Sequence, residues 1–450
     1  MMNSNLGRRL ALTLAAVSLT LGSVAQRELS LVKAQTLGVE NAYAMQRARI
    51  EVQAARHDVK ELLATGLPQV SASFDMNQFL DIPTQVAPAS AFNPNAPEDE
   101  VAEFAFGTTQ SATVGVNATQ LIFSGSYLVG LKAAKVFAAA KDLALDASEL
   151  ETRRLVAEAY ATALAAEANV ATLDQALTLV KTSESELRAL AAEGFAQSVD
   201  ADQLQLTRQA LEQQLASARL QAELTLKLVL FQCGLDVTEE VTLTDNLEAL
   251  TALHVPEAAP AALNVHALPS LEEQRRYLVL AQLDVQNRRA EGLPQVAAFY
   301  TNSAQTFRDP DFPALAEQNK WYPTQIVGLS MSMPIWTSGG GKQRVEKAKL
   351  QVLTAESGLA QLESAARLEF EGAKAAFLDA QSALKNAKEQ RALASRILTQ
   401  IESGHKEGVR SSFELNTAQN QLIEAEGNLI GVQWTWISAR ERLIASNPLP

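Results

Sequence analysis

The stretch from Leu415 to Ala439 reads LNTAQNQLIEAEGNLIGVQWTWISA, and its apolar side chains recur at the spacing of a coiled coil. One row repeats every seven residues and comprises Leu415, Leu422, Leu429 and Trp436. A second row follows three residues later and comprises Ala418, Ala425, Val432 and Ala439. Two apolar rows sustained over four heptads are typical of a long helix packed along a partner helix. The stretch therefore predicts a coiled-coil helix, with alanines small enough to let the partner approach closely.

The same spacing occurs in two other parts of the chain. The preceding row comprises Leu359, Ala366, Ala373, Ala380, Ala387, Ala394 and Ile401, and a row in the first half comprises Val156, Ala163, Val170 and Leu177. Gly194 and Gly408 interrupt these helical stretches, which predicts two helical hairpins over residues 126–233 and 341–445 with a glycine at each tip. An arm of about 65 residues would be about 100 Å long at 1.5 Å per residue.

Four shorter segments alternate between apolar and polar residues, and we predict strands at 68–80, 110–123, 294–307 and 324–336. In the first segment Val70, Ala72, Phe74 and Met76 alternate with Ser71, Ser73, Asp75 and Asn77. Such alternation indicates a strand with one apolar face. That pattern suits a soluble antiparallel sheet, and it equally suits the wall of a membrane β-barrel with lipid outside and water inside.

Two features favour the barrel over the soluble sheet. The segments are long enough to cross a bilayer obliquely, for which about 9–11 residues suffice. Aromatic residues also lie near the segment ends, and we interpret them as two membrane-interface belts. These are Phe79, Phe307, Trp321 and Tyr322 at one level, with Phe123 and Trp336 at the other. Because four strands cannot close a barrel and an open strand edge cannot face lipid, the barrel requires several copies of the chain.

The chain is a tandem repeat of one layout. Gly66-Leu67-Pro68-Gln69-Val70 recurs as Gly292-Leu293-Pro294-Gln295-Val296, and Glu193-Gly194 recurs as Glu407-Gly408. We therefore predict a first repeat over 26–236, a linker or small equatorial region over 237–267, and a second repeat over 268–450. Each repeat contains, in order, a helical segment (about 36–66 and 268–291), a strand pair and a helical hairpin.

The N-terminus indicates export. Arg8 and Arg9 precede an apolar stretch that ends at Val24, and small residues follow at the cleavage positions, so we predict a signal peptide over residues 1–25. A retained membrane anchor is the alternative, although the apolar run is short for a spanning helix, which needs roughly 20 residues.

Composition excludes several classes of function. The chain has 450 residues and a formal net charge of −13, which argues against a nucleic-acid partner, because such partners are neutralised by Lys and Arg. Its one cysteine, Cys233, is expected to be a small buried residue, and the four histidines are too dispersed for a local metal motif. We predict no metal site, no cofactor and no catalytic site.

Taken in order, these parts resemble the TolC-type outer-membrane efflux proteins of Gram-negative bacteria. The resemblance rests on the doubled Gly-Leu-Pro-Gln-Val, on the passages Leu121–Gly125 and Pro334–Gly340, and on the two tips, and it covers essentially the whole mature chain. It implies a mainly α fold with long antiparallel coiled-coil hairpins, and four strands per chain in a trimeric 12-stranded β-barrel. It also implies an outer-membrane channel of a tripartite efflux or type I secretion system, with its helical tunnel in the periplasm. The implied partners are a periplasmic adaptor, an inner-membrane pump, outer-membrane lipid and two further copies of the chain.

The resemblance further implies that the hairpin tips gate the channel and contact the adaptor. The matching residues are Gly194, Ser198 and Asp200 at the first tip, and Gly408, Arg410, Ser411 and Glu414 at the second, where His405 is also part of the expected gate. We expect Arg410 to bond Asp200 and hold the tip shut, and Glu414 to form an acidic ring around the threefold axis. His405 stands where the family's best-known gate has a tyrosine, which allows a pH-sensitive contact.

A soluble periplasmic coiled-coil adaptor is the alternative function. It would account for the signal peptide and the long hairpins. It accounts less well for four strands bounded by aromatic residues and for the duplicated layout.

Overall fold

The computed structural model describes residues 27–92, 97, 99, 101–105, 107–194, 197–252, 262–308 and 320–448. The predicted signal peptide over 1–25 lies outside the described residues. The chain divides into two compact units, each of which takes segments from both halves of the sequence. The helical unit comprises Met1–Val52, Lys141–Glu273 and Leu359–Pro450, and the sheet unit comprises Gln53–Ala140 and Gln274–Gly358.

Four long helices carry the predicted seams. They are α3 (Gly125–Ala192), α4 (Ser198–Gln232), α7 (Gly340–Lys406) and α8 (Ser412–Ser446). The core of the helical unit buries heptad positions of three of them: Val156, Ala163, Ala373, Ala380, Trp436 and Ala439. A second row in α7, which the alanine pattern alone had not indicated, lies three residues before each alanine and includes Phe370, Phe377 and Leu384. The prediction of two long helical hairpins is confirmed.

The helical segment predicted over about 36–66 begins earlier and comprises two helices. Helix α1 (Leu31–Asn41) ends before Ala42, whose ψ of 140° is extended, and α2 (Tyr43–Thr65) begins immediately after it. The carbonyl groups released at this break are bonded by side chains from α2. Arg49 donates to Val39 O and Glu40 O at 2.6 Å each, so the break leaves few unsatisfied groups.

The region between the repeats contains regular structure. Strand β6 (Val241–Leu243) pairs in parallel with β1 (Arg27–Leu29), and α5 (Leu247–Ala252) follows. A buried hydrogen-bond network attaches this region to α3, because the Tyr160 hydroxyl donates to Leu29 O at 2.8 Å and lies 3.0 Å from Asp245 Oδ2. Asp245 also accepts from the Leu31 amide at 2.7 Å, which joins α1 to the same network.

The sheet unit contains one four-stranded antiparallel sheet in the order β2-β5-β7-β8. Its strands are β2 (Gln69–Gln78), β5 (Gln110–Phe123), β7 (Gln295–Arg308) and β8 (Tyr322–Ser332). All four predicted strands are therefore present, and β5 and β7 join the two repeats through a shared ladder. Strand β8 ends four residues earlier than predicted, ahead of Pro334, because proline has no amide hydrogen for the ladder.

A second antiparallel pair lies between β2 and β5 and was not predicted. Strand β3 (Thr84–Pro88) pairs with β4 (Val101–Ala105), and the rings of Phe92 and Phe104 lie 4.6 Å apart. The remaining helix, α6 (Pro269–Ala290), begins the second repeat.

Within the described ranges, no helix combines the length and the apolar character that crossing a membrane requires. Cys233 is fully buried, as expected, and burial raises the pKa of its thiol to about 11. The thiol is therefore a packing group rather than a reactive one.

Candidate functional site at the hairpin tips

Each hairpin reverses at a glycine in the left-handed region of backbone space. Gly194 has a φ of +78° and Gly408 a φ of +73°. The second tip forms a Schellman-type end, in which the Gly408 amide donates to His405 O at 3.0 Å and the Val409 amide donates to Gly404 O at 2.8 Å. Among the described residues, nothing lies within 4 Å of a Cβ built at either glycine, so the backbone conformation selects glycine there.

The second tip is stabilised by a capping box at the start of α8. The Glu414 amide donates to Ser411 Oγ at 3.2 Å, and the Ser411 amide donates to Glu414 Oε2 at 2.8 Å. Arg410 Nη1 donates to Glu414 Oε1 at 2.7 Å. The bond from the Ser411 backbone, followed by the bond from Arg410, lowers the pKa of the Glu414 carboxyl. The backbone and side-chain groups of Arg410, Ser411 and Glu414 thus satisfy each other within one short segment.

The first tip lacks such a box. Helix α4 begins at Ser198, and Gln197 precedes it at the N-cap position without a side-chain capping bond. Ser198 is exposed, and Asp200 is half-buried in the first turn. An aspartate there is favourable because it faces the positive end of the helix dipole.

The expected bond between Arg410 and Asp200 is not formed within this chain. Arg410 instead forms an ion pair with Glu414, four residues away. Closing this short loop costs less conformational entropy than bringing two separate hairpins together. Glu414 is consequently a paired carboxylate, not a bare acidic group. The structure brings Arg410, Ser411 and Glu414 together, and it leaves Ser198 and Asp200 separate from them.

His405 lies behind the second tip, against the start of α8. One ring nitrogen, Nε2, lies 3.3 Å from Ser412 Oγ, and the ring is half-buried. The contact closes the hairpin on itself, because it joins the last turn of α7 to the first turn of α8.

Exposed apolar side chains at both tips were missed in the sequence. Val199 follows the start of α4, and Val409 and Phe413 flank the capping box, with 75% and 76% of their surfaces exposed. The signal was available, since Val409 and Phe413 flank a polar run at the predicted tip. Such residues at the end of a hairpin are typical of a surface that contacts another protein.

The sheet presents one face of mostly apolar residues to its surroundings. The register aligns Val70, Ala118, Tyr300 and Val327 in one row across all four strands, and Phe74, Val114, Ala304 and Pro323 in another. Val327, Leu329 and Met331 of β8 are strongly exposed. The opposite face carries small polar residues in rows such as Ser73, Gly115, Ser303 and Thr324.

The predicted aromatic belts lie near opposite ends of this sheet. Phe79 follows β2 where Gln78, Gln110 and Arg308 are aligned, and Phe307 and Tyr322 lie close by with ring centroids 6.3 Å apart. Trp321 directly precedes Tyr322 and is half-buried. At the other end Phe123 terminates β5, and Trp336 lies beyond β8 with 84% of its surface exposed.

Comparisons with known proteins agree with this architecture. Residues 266–446 match the family described as Outer membrane efflux protein. No curated protein is similar enough in sequence to count as a relative.

Solved structures match the chain along nearly its whole length. The CmeC outer membrane channel of Campylobacter jejuni has a TM-score of 0.72 at 18% identity, with 92% of this chain and 85% of that chain covered. The open MtrE outer membrane channel of Neisseria gonorrhoeae gives 0.70 at 17% identity, covering 92% and 88%. The outer membrane protein VceC of Vibrio cholerae gives 0.68 at 15% identity, covering 92% and 95%. At identities this low, the structural similarity establishes a shared fold and no more.

Proposed function

We propose that this protein is an outer-membrane channel of a tripartite efflux or type I secretion system. Residues 266–446 match the outer membrane efflux protein family, and the chain shares the fold of solved outer membrane channels. It acts as a passive duct from the periplasm to the outside. Substrate passes through it without covalent change, so it is not an enzyme.

The observation that carries this proposal is the exposed apolar face of the four-stranded sheet. A soluble sheet buries such a face against another layer. Here rows of Val, Leu, Met, Phe and Tyr side chains remain exposed across the strands, whereas the opposite face is polar. This is the arrangement of a barrel wall with lipid on one side and water on the other.

The sheet edges support assembly from several copies. Strands β2 and β8 are the two ends of the sheet order, so each has one free edge within the described part of the chain. Lipid cannot satisfy the backbone groups of a free edge, whereas a β2 edge can pair with a β8 edge of another copy. Three copies give the twelve strands of the family's barrel.

Unpartnered stripes on two helices support the same assembly. Exposed leucines on α4 share one face of that helix: Leu206, Leu220, Leu224 and Leu228. Exposed residues on α7 likewise share a face: Leu368, Leu378, Leu393 and Ile397. Apolar stripes of this length on long helices are the usual contacts of helices in neighbouring subunits.

The remaining parts fit an outer-membrane location with the hairpins in the periplasm. The predicted signal peptide directs export, and the aromatic residues near both ends of the sheet suit the two lipid headgroup layers. The tips then form the periplasmic gate, and exposed Val199, Val409 and Phe413 suit contact with a periplasmic adaptor that links the channel to an inner-membrane pump.

Within this proposal the gate contacts lie between copies or between hairpins. Arg410 and Glu414 hold the second tip in shape, and Asp200 of a neighbouring tip is a candidate partner for the remaining donors of Arg410. Replacing Arg410 by Ala should therefore raise the leak current of the channel in planar bilayers. A leak current equal to that of the parent would remove Arg410 from the gate.

The first experiment is the mass of the mature protein purified from outer membranes, measured by light scattering with the detergent subtracted. Three copies per particle support the channel. A monomer that is soluble without detergent would instead support the periplasmic adaptor.

A matched pair of substitutions in β8 tests the orientation of the sheet. Leu329 lies on the apolar face and Ser330, its neighbour, on the polar face. Leu329→Arg should reduce the amount of assembled protein in the membrane, because an arginine facing the middle of the bilayer costs roughly 2–4 kcal/mol. Ser330→Arg adds the same charge on the water side and should leave assembly close to that of the parent. Equal effects of the two changes would contradict a membrane-spanning sheet.

A further inference from the structure

A small cavity lies behind the second tip, between the two hairpins of the helical unit. Its volume is about 40 Å³. Apolar side chains form part of its wall, and polar groups from three helices form the rest. The polar lining comprises Ser183 and Glu186 of α3, His405 of α7, and Ser412, Asn416 and Gln419 of α8.

Gln419 is the buried polar group of this cavity. Only 2% of its surface is exposed, although it lies beside the apolar seam residue Ala418. Its amide nitrogen reaches Ser183 Oγ at 3.5 Å, at the long end of hydrogen bonding, and its Oε1 has no partner among the residues that the structure describes. Exchanging the two ends of the amide would leave the NH₂ group underbonded instead. A buried amide in this position requires a ligand in either orientation, because leaving it unpaired costs about 1–3 kcal/mol.

We propose that this cavity is a binding site for one or two water molecules, which bridge Gln419 to the first hairpin. The volume exceeds the roughly 10–15 Å³ that a water needs, and the lining supplies the two to four polar partners that a buried water makes. A water donates to Gln419 Oε1 and accepts from a hydroxyl such as that of Ser183 or Ser412. Water fits better than a metal ion, since no group of three His, Cys, Asp or Glu side chains suited to a metal occurs in the described ranges.

The bridge joins the hairpins at a point where they must separate if the tips open. Gln419 belongs to α8 of the second hairpin and Ser183 to α3 of the first. When the helices part, bulk water takes over the hydrogen bonds of the bridging water. The bridge therefore stabilises the packed hairpins without adding a large barrier to their separation. This consequence for opening rests on the channel proposed above, whereas the water site does not.

The site itself is tested by an experimental structure of the full assembled protein at a resolution that shows ordered water. We expect density within hydrogen-bond distance of the Gln419 amide in the parent and its loss in Gln419→Leu, which replaces the amide by an apolar group of similar size. A Gln419 amide bonded at both ends by protein groups would overturn the proposal.

Single-channel recording in planar bilayers tests the effect on opening. Gln419→Leu should lower the frequency of spontaneous opening about tenfold, because separation then exposes a leucine packed near Leu187 and Leu204. Gln419→Glu should raise that frequency, since it places a second carboxylate in the cavity beside Glu186. The matched control is Gln433→Leu, a buried glutamine two heptads further along α8, which should behave like the parent.

The outcomes separate the two proposals. Opening frequencies that do not differ among the two Gln419 variants, Gln433→Leu and the parent would overturn the role of the water in opening. If the parent forms no conducting channel at all, the channel proposal fails, and the density at Gln419 still decides whether the water site exists.

Discussion

Both hairpin tips have a left-handed glycine, but the helices that follow these glycines begin differently. Each hairpin reverses at its glycine, Gly194 or Gly408, and the helix that follows carries an acidic residue in its first turn. At the second tip Ser411 caps α8 and Glu414 completes the box. At the first tip Gln197 occupies the N-cap position and makes no side-chain bond.

The difference shows that duplication preserved the part of the tip that depends on backbone geometry and changed the part that depends on side chains. The left-handed turn tolerates few residues, whereas an N-cap can be lost at a cost of about 1 kcal/mol. The second tip is therefore a locally self-sufficient structure, and the first tip depends more on what packs around it. The following changes test this contrast.

The largest effect is expected at the shared glycines. Gly408→Val and Gly194→Val should each destabilise their tip by about 2 kcal/mol, since a β-branched residue is unfavourable at positive φ. Hydrogen exchange of the tip amides, followed by mass spectrometry, should accelerate roughly thirtyfold at the altered tip alone. Gly408→Asn is the control, because asparagine adopts this conformation readily. A much smaller effect at Gly194 would show that the two turns are not equivalent.

Ser411→Ala should destabilise the start of α8 by about 1 kcal/mol, because the Glu414 amide loses its acceptor. Exchange of the amides in the first turn of α8 should accelerate about fivefold. The corresponding change at the first tip, Gln197→Ala, removes no capping bond and should leave exchange in α4 unaltered. Equal acceleration at both tips would contradict the contrast between them.

Gln197→Ser should move the first tip towards the second. A serine at this N-cap position can accept from the Asp200 amide, which should stabilise the start of α4 by about 0.5 kcal/mol. The expected readout is slower exchange in the first turn of α4 with no change in α8. Unchanged exchange in α4 would mean that the tip conformation prevents capping.

The smallest effect is expected from pH. The pKa of Glu414 is lowered in the folded tip, so its contribution to stability is present above its ordinary value of 4.5 and is lost as pH falls through the folded value. Exchange in α8, corrected for the intrinsic rates, should accelerate on acidification below about pH 4.5. Glu414→Gln retains a neutral capping box and should abolish this pH dependence. A persistent dependence in that variant would assign it to another group.

The long helices and the strands were predictable because their signals repeat. Heptad rows located both hairpins, and alternation over many residues located all four strands to within a few positions. The errors occur where no repetition exists. Strand β1 pairs with β6 over three residues, and a contact so short between distant segments has no period in the sequence. The break at Ala42 depends on Arg49 reaching back to the carbonyl groups of α1, which is a tertiary detail.

The candidate site was only partly predictable for the same reason. The tip glycines followed from the hairpin pattern, and Ser411 and Glu414 have the spacing of a capping box. Within the chain Arg410 bonds Glu414, because a local bond competes with a distant one, and its contact with Asp200 stays a prediction. Gln419 was missed because a polar residue beside a heptad seam is normally expected to face solvent. Its burial depends on how three helices pack together, which has no signal in the sequence.

The pairing of β5 with β7 has a consequence for how the protein is made. Strand β5 finds β2 in the chain that precedes it, but its second partner follows only after the first helical hairpin and the segment beyond it. During synthesis, β5 therefore carries an apolar face and an open edge until the 171 residues between Phe123 and Gln295 have been delivered. An edge in that state pairs readily with other chains. The order of the strands thus makes the chain that has delivered β5 but not β7 an aggregation-prone stage of its biogenesis. If the protein is exported as proposed, this is a stage at which a chaperone would protect it.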